Sequence, residues 1–459
     1  MADAQQQLSR GWQIHQQGQH VAAERIYREV LASQPNNPAA WCYLGIVLHD
    51  QKRYLEAVET YERSLKLQPE FPIALNNLGN TLRYVGDAQR ADECFAEALR
   101  LKPDYLNAYK NRGTLHVWTG SLEKAGQYYQ AALKLNPTEA ELHRNLGVLY
   151  LLQGRFEEGW REYRWRWRVG DLHRPTNTIP VWNGEPLEGK RILLTAEQGL
   201  GDTINFVRFA KLLRERGAET LVYCQPQLVA LLQTTPELGP IYPNSLSLQG
   251  QQFHYQASLV DVADVLNVAA ESIPFSEAYL QPASHLVEYW RERIGQGGVG
   301  SANTTRKRIG IAWQGNPDHQ ADVFRSAPLE KFKTLDNENI ELYSFQTGYG
   351  SEQLANWSGR SIQTFGKELD QSSGAFMDSA AIMTLLDAVV TTDTAIAHLA
   401  GALGVRTHLA LNYVPDWRWL LDREDTQWYA SMTLHRQKAM GDWGPVFEGI
   451  ASALAVPSQ

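Results

Sequence analysis

The sequence predicts an α + α/β protein: an α-solenoid of helical hairpins, then two halves that each carry a doubly wound parallel sheet. Three observations carry this. Small and aromatic residues recur at a fixed interval through the first third. Beyond a stretch bearing Pro180, Pro186 and two glycines, short apolar runs alternate with helical patterns. A Gly/Ser/Thr-rich segment, Gly295 to Thr305, divides that alternation into two consecutive blocks. The length of 459 residues suits three folding units at about 150 residues each. A 43% hydrophobic composition excludes a disordered chain.

The repeat comes first. Gly11, Gly45, Gly79, Gly113 and Gly147 stand 34 residues apart, as do Pro35, Pro69, Pro103 and Pro137. Ala23, Ala57, Ala91 and Ala125 keep the same spacing, with Gly159 in the fifth place. Four positions after each stands a ring: Tyr27, Tyr61, Phe95, Tyr129 and Tyr163. A second glycine set, Gly18, Gly86, Gly120 and Gly154, fails only at Lys52. Small residues belong where two amphipathic helices cross closely, the ring is expected between one hairpin and the next, and proline closes the second helix. These columns resemble the tetratricopeptide repeat, with four complete units and a fifth that degenerates after Trp160. The array is assigned to residues 4–170. Such arrays bind peptides or proteins in a concave groove. Asn76, Asn77, Asn80, Asn111 and Asn145 fall on first helices, where they suit either an extended peptide backbone or a plain solvated face.

Charge and cysteines narrow the classes. A net charge of -8 argues against general affinity for nucleic acid or anionic membranes. Cys42, Cys94 and Cys224 show no ligand spacing, so neither a disulfide scaffold nor a structural zinc site is expected. The polar, Gln-rich Met1 to Arg10 does not read as a signal peptide, and no run approaches the roughly 20 apolar residues of a membrane helix. A cytoplasmic protein without membrane insertion is expected. From Trp160 the chain reads WREYRWRWR, a pattern that superficially suits single-stranded nucleic acid. The stronger reading is a terminal helix whose tryptophans dock on the next domain, with arginines at the rim; no nucleic-acid partner is expected. Residues 171–190 are assigned as a linker.

The α/β part is expected as two halves, 191–300 and 306–455. In the first, Arg191 to Thr195 and Thr220 to Cys224 read as strands, and Thr203 to Arg216 and Pro226 to Gln233 as helices. In the second, Arg308 to Trp313, Glu341 to Gln346, Ala388 to Thr392 and Arg406 to Leu411 read as strands. Helices are expected over Leu329 to Leu335, from a cap at Asp378 to about Leu386, and from Thr394 to Leu403 before Gly404. Ligands of such sheets bind beyond the carboxyl ends of the strands.

Three turns at those ends carry polar chemistry. Glu197-Gln198-Gly199-Leu200-Gly201-Asp202-Thr203 offers glycine amides and a helix start that favours an anion, although Asp202 equally suits a helix cap. Gln314-Gly315-Asn316-Pro317-Asp318-His319 leads to Arg325-Ser326, where a guanidinium suits a phosphate and pairing with Asp322 is the alternative. Asp393-Thr394 opens a helix of small residues, and His398, one turn in, also suits a core position.

The stretches EQGLGDTINFVRF, GIAWQGNPDH…RSAPL and DTAIAHLAGALG, in this order, resemble the ADP-heptose:lipopolysaccharide heptosyltransferase-like family, glycosyltransferase family nine, in its tetratricopeptide-fused bacterial form. The resemblance covers about residues 188–455. It implies the GT-B fold, two Rossmann-like halves, and an inverting, metal-independent transferase taking a nucleotide-sugar donor, with no cofactor and no metal. Carried over by position, Asp202 matches the general base on the acceptor hydroxyl, and Arg325 the residue that steadies the leaving diphosphate. Gly199, Gly201, Thr203, Gln314, Asn316, Ser326, Asp393, Thr394 and His398 then fall to donor binding. Trp417, within Pro415-Asp416-Trp417-Arg418-Trp419, is expected either to wall the sugar site or to pack. The family usually carries lysine where this chain has Arg325, so the resemblance does not imply the donor sugar. The expected activity is protein glycosylation, the acceptor protein or peptide being recruited by the repeats. The alternative is a catalytically inactive repeat scaffold with a transferase-like nucleotide-binding domain.

Overall fold

The structure, a computed structural model, describes residues 2–170, 172, 178–197, 199–296, 306–319 and 321–455. The chain forms two compact units, Met1–Leu146 and Gly147–Gln459.

The first unit is built of helical hairpins: α1 (Ala2–Gln16) with α2 (His20–Ser33), α3 (Pro38–Asp50) with α4 (Tyr54–Leu67), α5 (Pro72–Tyr84) with α6 (Ala88–Leu101), and α7 (Leu106–Trp118) with α8 (Leu122–Leu135). The next helix, α9 (Ala140–Leu152), spans the boundary between the units, and α10 (Phe156–Tyr163) lies in the second. Prolines stand at the first turns of α3 and α5, where their missing N–H costs nothing. Asn37 caps α3 and Asp87 caps α6.

The glycine and ring columns explain each other. A Cβ on Gly11, Gly45, Gly79 or Gly113 would lie 2.5–2.9 Å from Tyr27, Tyr61, Phe95 or Tyr129 respectively. Each ring therefore seats on the first helix of its own hairpin, and Tyr27 also stacks on Tyr43 of the next hairpin at 5.5 Å. The second glycine set takes φ of 74–86° in the turn between paired helices, and Lys52 adopts the same left-handed backbone at φ 63°. The turn keeps its geometry there at the cost of local strain.

The second unit holds two parallel sheets. The four-stranded sheet has the order β3-β2-β1-β4, with β1 (Arg191–Thr195), β2 (Glu219–Cys224), β3 (Ile241–Pro243) and β4 (Tyr255–Ser258). The six-stranded sheet has the order β10-β9-β8-β5-β6-β7. Its strands are β5 (Lys307–Ala312), β6 (Ile340–Ser344), β7 (Ile362–Thr364), β8 (Ala388–Thr392), β9 (Thr407–Leu411) and β10 (Met432–Arg436). Every ladder is parallel, and the central strands are buried runs such as AVVTT and THLAL, as sheets covered on both faces require. Around the strands run α11 (Leu200–Phe206), α12 (Arg208–Glu215), α13 (Val229–Gln233), α14 (Leu259–Val265) and α15 (Ser284–Gln296). The remaining helices are α16 (Asp322–Arg325), α17 (Met377–Met383), α18 (Ala395–Ala402) and α19 (Gly444–Ala455). One face of the larger sheet packs Ile309, Ile311 and Val390 against Phe332, Phe447 and Ile450.

Several local expectations change. Leu329–Leu335 is a 3-10 helix rather than an α-helix. Asp378 lies inside α17 and does not cap it; Asp370 does, accepting from the backbone N–H of Asp378 and Ser379 at 2.8 and 3.0 Å. Asp378 instead accepts from Trp290 Nε1 at 2.7 Å. Within the expected linker, Val181 bridges to Gln256 of β4 and Trp182 is buried, while residues 171 and 173–177 lie outside the described ones. Most of the expected hinge, 297–305, also lies outside them. Among the described residues no helix is long and apolar enough to cross a membrane.

Candidate functional site

Each sheet reverses its strand order once, between β1 and β4 in the smaller and between β5 and β8 in the larger. Beyond the carboxyl ends of the strands, such a reversal leaves a crevice where the two connecting loops part to opposite faces, and ligands of α/β sheets settle there.

The larger sheet's crevice collects the second and third predicted turns. After β5, the Gln346 side chain clamps the turn, accepting from the backbone N–H of Trp313 and Gln314 and donating to the Gln314 carbonyl, each at 3.0 Å. The Gln314 side chain accepts from Gln353 at 3.2 Å. Gly315 donates to Ser326 Oγ at 3.1 Å, and Ser326 donates to Asp322 Oδ1 at 2.8 Å. A Cβ on Gly315 would sit 2.7 Å from that carboxylate and 2.9 Å from the Arg325 guanidinium, so a side chain there would displace both. Arg325 reaches Asp322 at 3.4 Å, a long contact that leaves its remaining N–H groups for other acceptors. Asn316 is exposed and stabilises its own turn by accepting from the Asp318 N–H.

After β8 come Asp393 and Thr394. No side chain caps α18; Thr394 Oγ1 instead lies 3.4 Å from Thr391 Oγ1. The first N–H groups of α18 thus point out of the helix without a side-chain acceptor, the arrangement that attracts anions. Burial pushes the Asp393 carboxyl up to about 6, Asp416 pushing the same way while Arg325 and Arg418 pull it down. His319 has its pKa lowered, by crowding first and then by Arg325, against the pull of Asp416, Asp322 and Asp202.

Asp202 enters from the smaller sheet's side, in the first turn of α11. Its Oδ2 accepts from the Gly199 N–H at 2.9 Å, and its Oδ1 pairs with the Arg418 guanidinium. Arg418 is 7% exposed, also holds Asp416 at 2.7 Å, and lies over the Trp417 and Phe206 rings. Arg418 is the partner of Asp202 that reading the sequence missed; the motif around it stood out only for its tryptophans. Gln198 lies outside the described residues.

Four expected donor contacts have interior roles. Gly201 is glycine because α11 crosses α18 there: a Cβ would meet His398 Cδ2 at 2.8 Å and Ala395 Cα at 3.4 Å. His398 is buried, bonds Tyr429 OH at 2.9 Å and stacks on Trp419, the core alternative of the sequence reading. Burial first, then the charges of Arg418, Arg208 and Arg325, hold its pKa well below the ordinary value, so it stays neutral. Thr203 is 2% exposed and donates to Gln225 Oε1 at 2.9 Å. Trp417 is 3% exposed and packs with Trp160, Phe206 and Trp428. Because Trp419 and Tyr429 pin the His398 ring, Gly201→Ala should lower the stability of this region by about 1–3 kcal/mol, read as a shifted urea midpoint. An unchanged midpoint would contradict the packing.

The smaller sheet's crevice is filled from within the chain. Arg166, from the 3-10 turn Arg164–Arg168 after α10, is 1% exposed. It forms a bidentate pair with Glu197, just after β1, at 2.7 and 2.8 Å, and reaches Asp261 in the first turn of α14 at 2.7 Å. Ser258 donates to Glu197, Trp167 Nε1 to Asp261, and Arg164 pairs with Asp264. Trp160 docks as expected, donating to the Val268 carbonyl at 2.8 Å. Arg166, however, lies inside rather than at the rim, where three carboxylate oxygens of Glu197 and Asp261 pair its charge.

Comparison with known proteins finds the repeat part. Residues 37–104 match the family described as Tetratricopeptide repeat, and residues 115–154 match TPR repeat. Protein FlbA of Caulobacter vibrioides is 26% identical over 321 residues, covering 64% of this chain and 52% of that protein. The chain thus spans about half the length of the curated relative it matches. Among solved structures, a thermophilic TPR protein of Thermus thermophilus shares 23% identity at a TM-score of 0.34, over 36% of this chain and 90% of that one. PilF of Pseudomonas aeruginosa shares 18% at a TM-score of 0.36, over 46% of this chain and 85% of that one. Within the first compact unit and the start of the second, the chain carries tetratricopeptide repeats.

Proposed function

We propose that the chain is an inverting, metal-independent glycosyltransferase of the GT-B type. In this reading it moves a sugar from a nucleotide-sugar to a hydroxyl of a protein or peptide recruited by the repeats. The observation that carries the proposal is the crevice between β5 and β8, where α18 starts uncapped and the Arg325 charge acts on Asp393 just before it. Backbone amides and a guanidinium there suit the charge that develops on a departing diphosphate. Asp202 is the proposed base, oriented by Gly199 and Arg418. The resemblance of the three turns to family nine supports the same assignment. The test is release of nucleoside diphosphate from a panel of nucleotide-sugars by the full chain. Release from one donor is expected; none from any donor would favour the repeat scaffold with an inactive α/β region.

The Asp393 carboxyl gives the site a pH signature. Its pKa is raised to about 6, so it is charged at pH 7 and takes up a proton as pH falls through 6. Its negative charge opposes the pyrophosphate of the donor, so affinity should rise as pH falls from 7 to 5, by about tenfold, or about 1.4 kcal/mol. His319, whose pKa is lowered by burial and Arg325, gains positive charge as pH falls and pushes in the same direction. Calorimetric titration across this range checks it. Asp393→Asn should bind tightly throughout, and an unaltered slope in that variant would refute the assignment.

A further inference from the structure

A second cluster, in the repeat unit, has the composition of a metal site. His15 lies in the last turn of α1, His20 is the first residue of α2, and Asp50 is the last residue of α3. One imidazole nitrogen from each histidine and a carboxylate oxygen of Asp50 all lie within 4.8 Å of one another. His15 Nε2 and Asp50 Oδ2 are already 2.8 Å apart, and the His15 and His20 rings meet edge to face at 5.2 Å.

From these residues we propose a divalent transition-metal site, with zinc the reference ion, that staples the first hairpin to the second. Two imidazoles and a carboxylate form a borderline donor set, suited to zinc, nickel or copper rather than to calcium or magnesium. Zinc bonds of about 2.0–2.2 Å put tetrahedral ligands roughly 3.3 Å apart, so closing a 4.8 Å cluster takes a shift of about 1.5 Å or less. The side chains are unequally free to make it. His15 is 5% exposed and held beside Trp12, so it is the fixed ligand; the Asp50 side chain is 41% exposed and His20 half-buried, so these close around the ion. His15 Nε2 already faces the Asp50 carboxylate, which can only accept, so that nitrogen carries the ring proton, while the buried His15 Nδ1 has no hydrogen-bond partner. A ligand-poor trio leaves a fourth position for water.

The site joins three helices from two successive hairpins. Its effect is to lock the α1–α2 hairpin to the α3–α4 hairpin. Nothing in the linear chain announces it: His15 and His20 are spaced without meaning until Asp50, 30 residues on from His20, is folded beside them.

The experiment is calorimetric titration of the chelator-stripped full chain with Zn²⁺, beside His20→Gln, Asp50→Asn and the control His285→Ala on α15. One equivalent per chain is expected, weakened at least tenfold in His20→Gln and in Asp50→Asn and unchanged in the control. Co²⁺ substitution should give the visible bands of a four-coordinate ion in the unmodified chain and in His285→Ala, but not in His20→Gln or Asp50→Asn. Absence of binding, or binding that neither variant weakens while both keep the helical circular dichroism of the parent, would overturn the site.

Discussion

Arg166→Ala is expected to destabilise the α/β region by roughly 3–5 kcal/mol, the range for removing one partner of a buried ion pair. The guanidinium is 1% exposed, and the side chains of Glu197 and Asp261 are 4% and 9% exposed. Truncation leaves two carboxylates in the crevice without their cation, and water enters poorly where Trp160 and Trp167 pack. Protonating or flooding them is the only relief, and both cost free energy. The neighbouring Arg164→Ala should cost less, because that side chain is 59% exposed and water can replace it. A urea series followed by near-ultraviolet circular dichroism separates the two. Combining Arg166→Met with Glu197→Gln and Asp261→Asn should recover most of the loss, since no charge then stays buried alone. Equal small effects of Arg164→Ala and Arg166→Ala would show that the cluster is solvated.

The second large effect falls on turnover. Asp202→Asn should reduce nucleotide release about 10²–10⁴-fold, the range for a positioned general base. Asparagine keeps the shape and can still accept from the Gly199 N–H, but it takes no proton. Its amide also sets an N–H against Arg418, whose remaining partner Asp416 still holds it at 2.7 Å. The fold should therefore survive, and a loss of activity with an unchanged unfolding midpoint is the expected pair of results. Asp202→Asn with undiminished release would remove the carboxylate from the chemistry and leave it a role only in holding Arg418.

What the sequence made legible were features with a local steric cause. Gly45 and Tyr61 stand 16 residues apart and touch, so the column they belong to repeats the contact four times over. The strand AVVTT and the helix ended by Gly404 were readable because burial and a left-handed stop are written in adjacent residues. The strands β3, β4 and β7 escaped, having three or four residues and no clear period, and so did the five-residue β10. The site divides along the same line. The turns at Gly315 and Asp393 were legible as strand ends, but the partner of Asp202 was not, because Arg418 lies 216 residues away. Arg166 escaped for a related reason: a basic, aromatic string looks like a solvated rim until Glu197 and Asp261 are folded around it. His398 and Thr203 show the converse, polar residues in a promising motif whose partners, Tyr429 and Gln225, make them part of the interior.

On the proposed function, the crevice between β5 and β8 holds the diphosphate of a nucleotide-sugar. Calorimetric titration of the panel into the full chain and into Arg325→Ala tests this without depending on turnover. Saturable binding of at least one nucleotide-sugar is expected, weakened tenfold or more by Arg325→Ala, because the guanidinium and the free amides of α18 share the anion. Binding of the same strength in both proteins, or of no nucleotide-sugar at all, would contradict it.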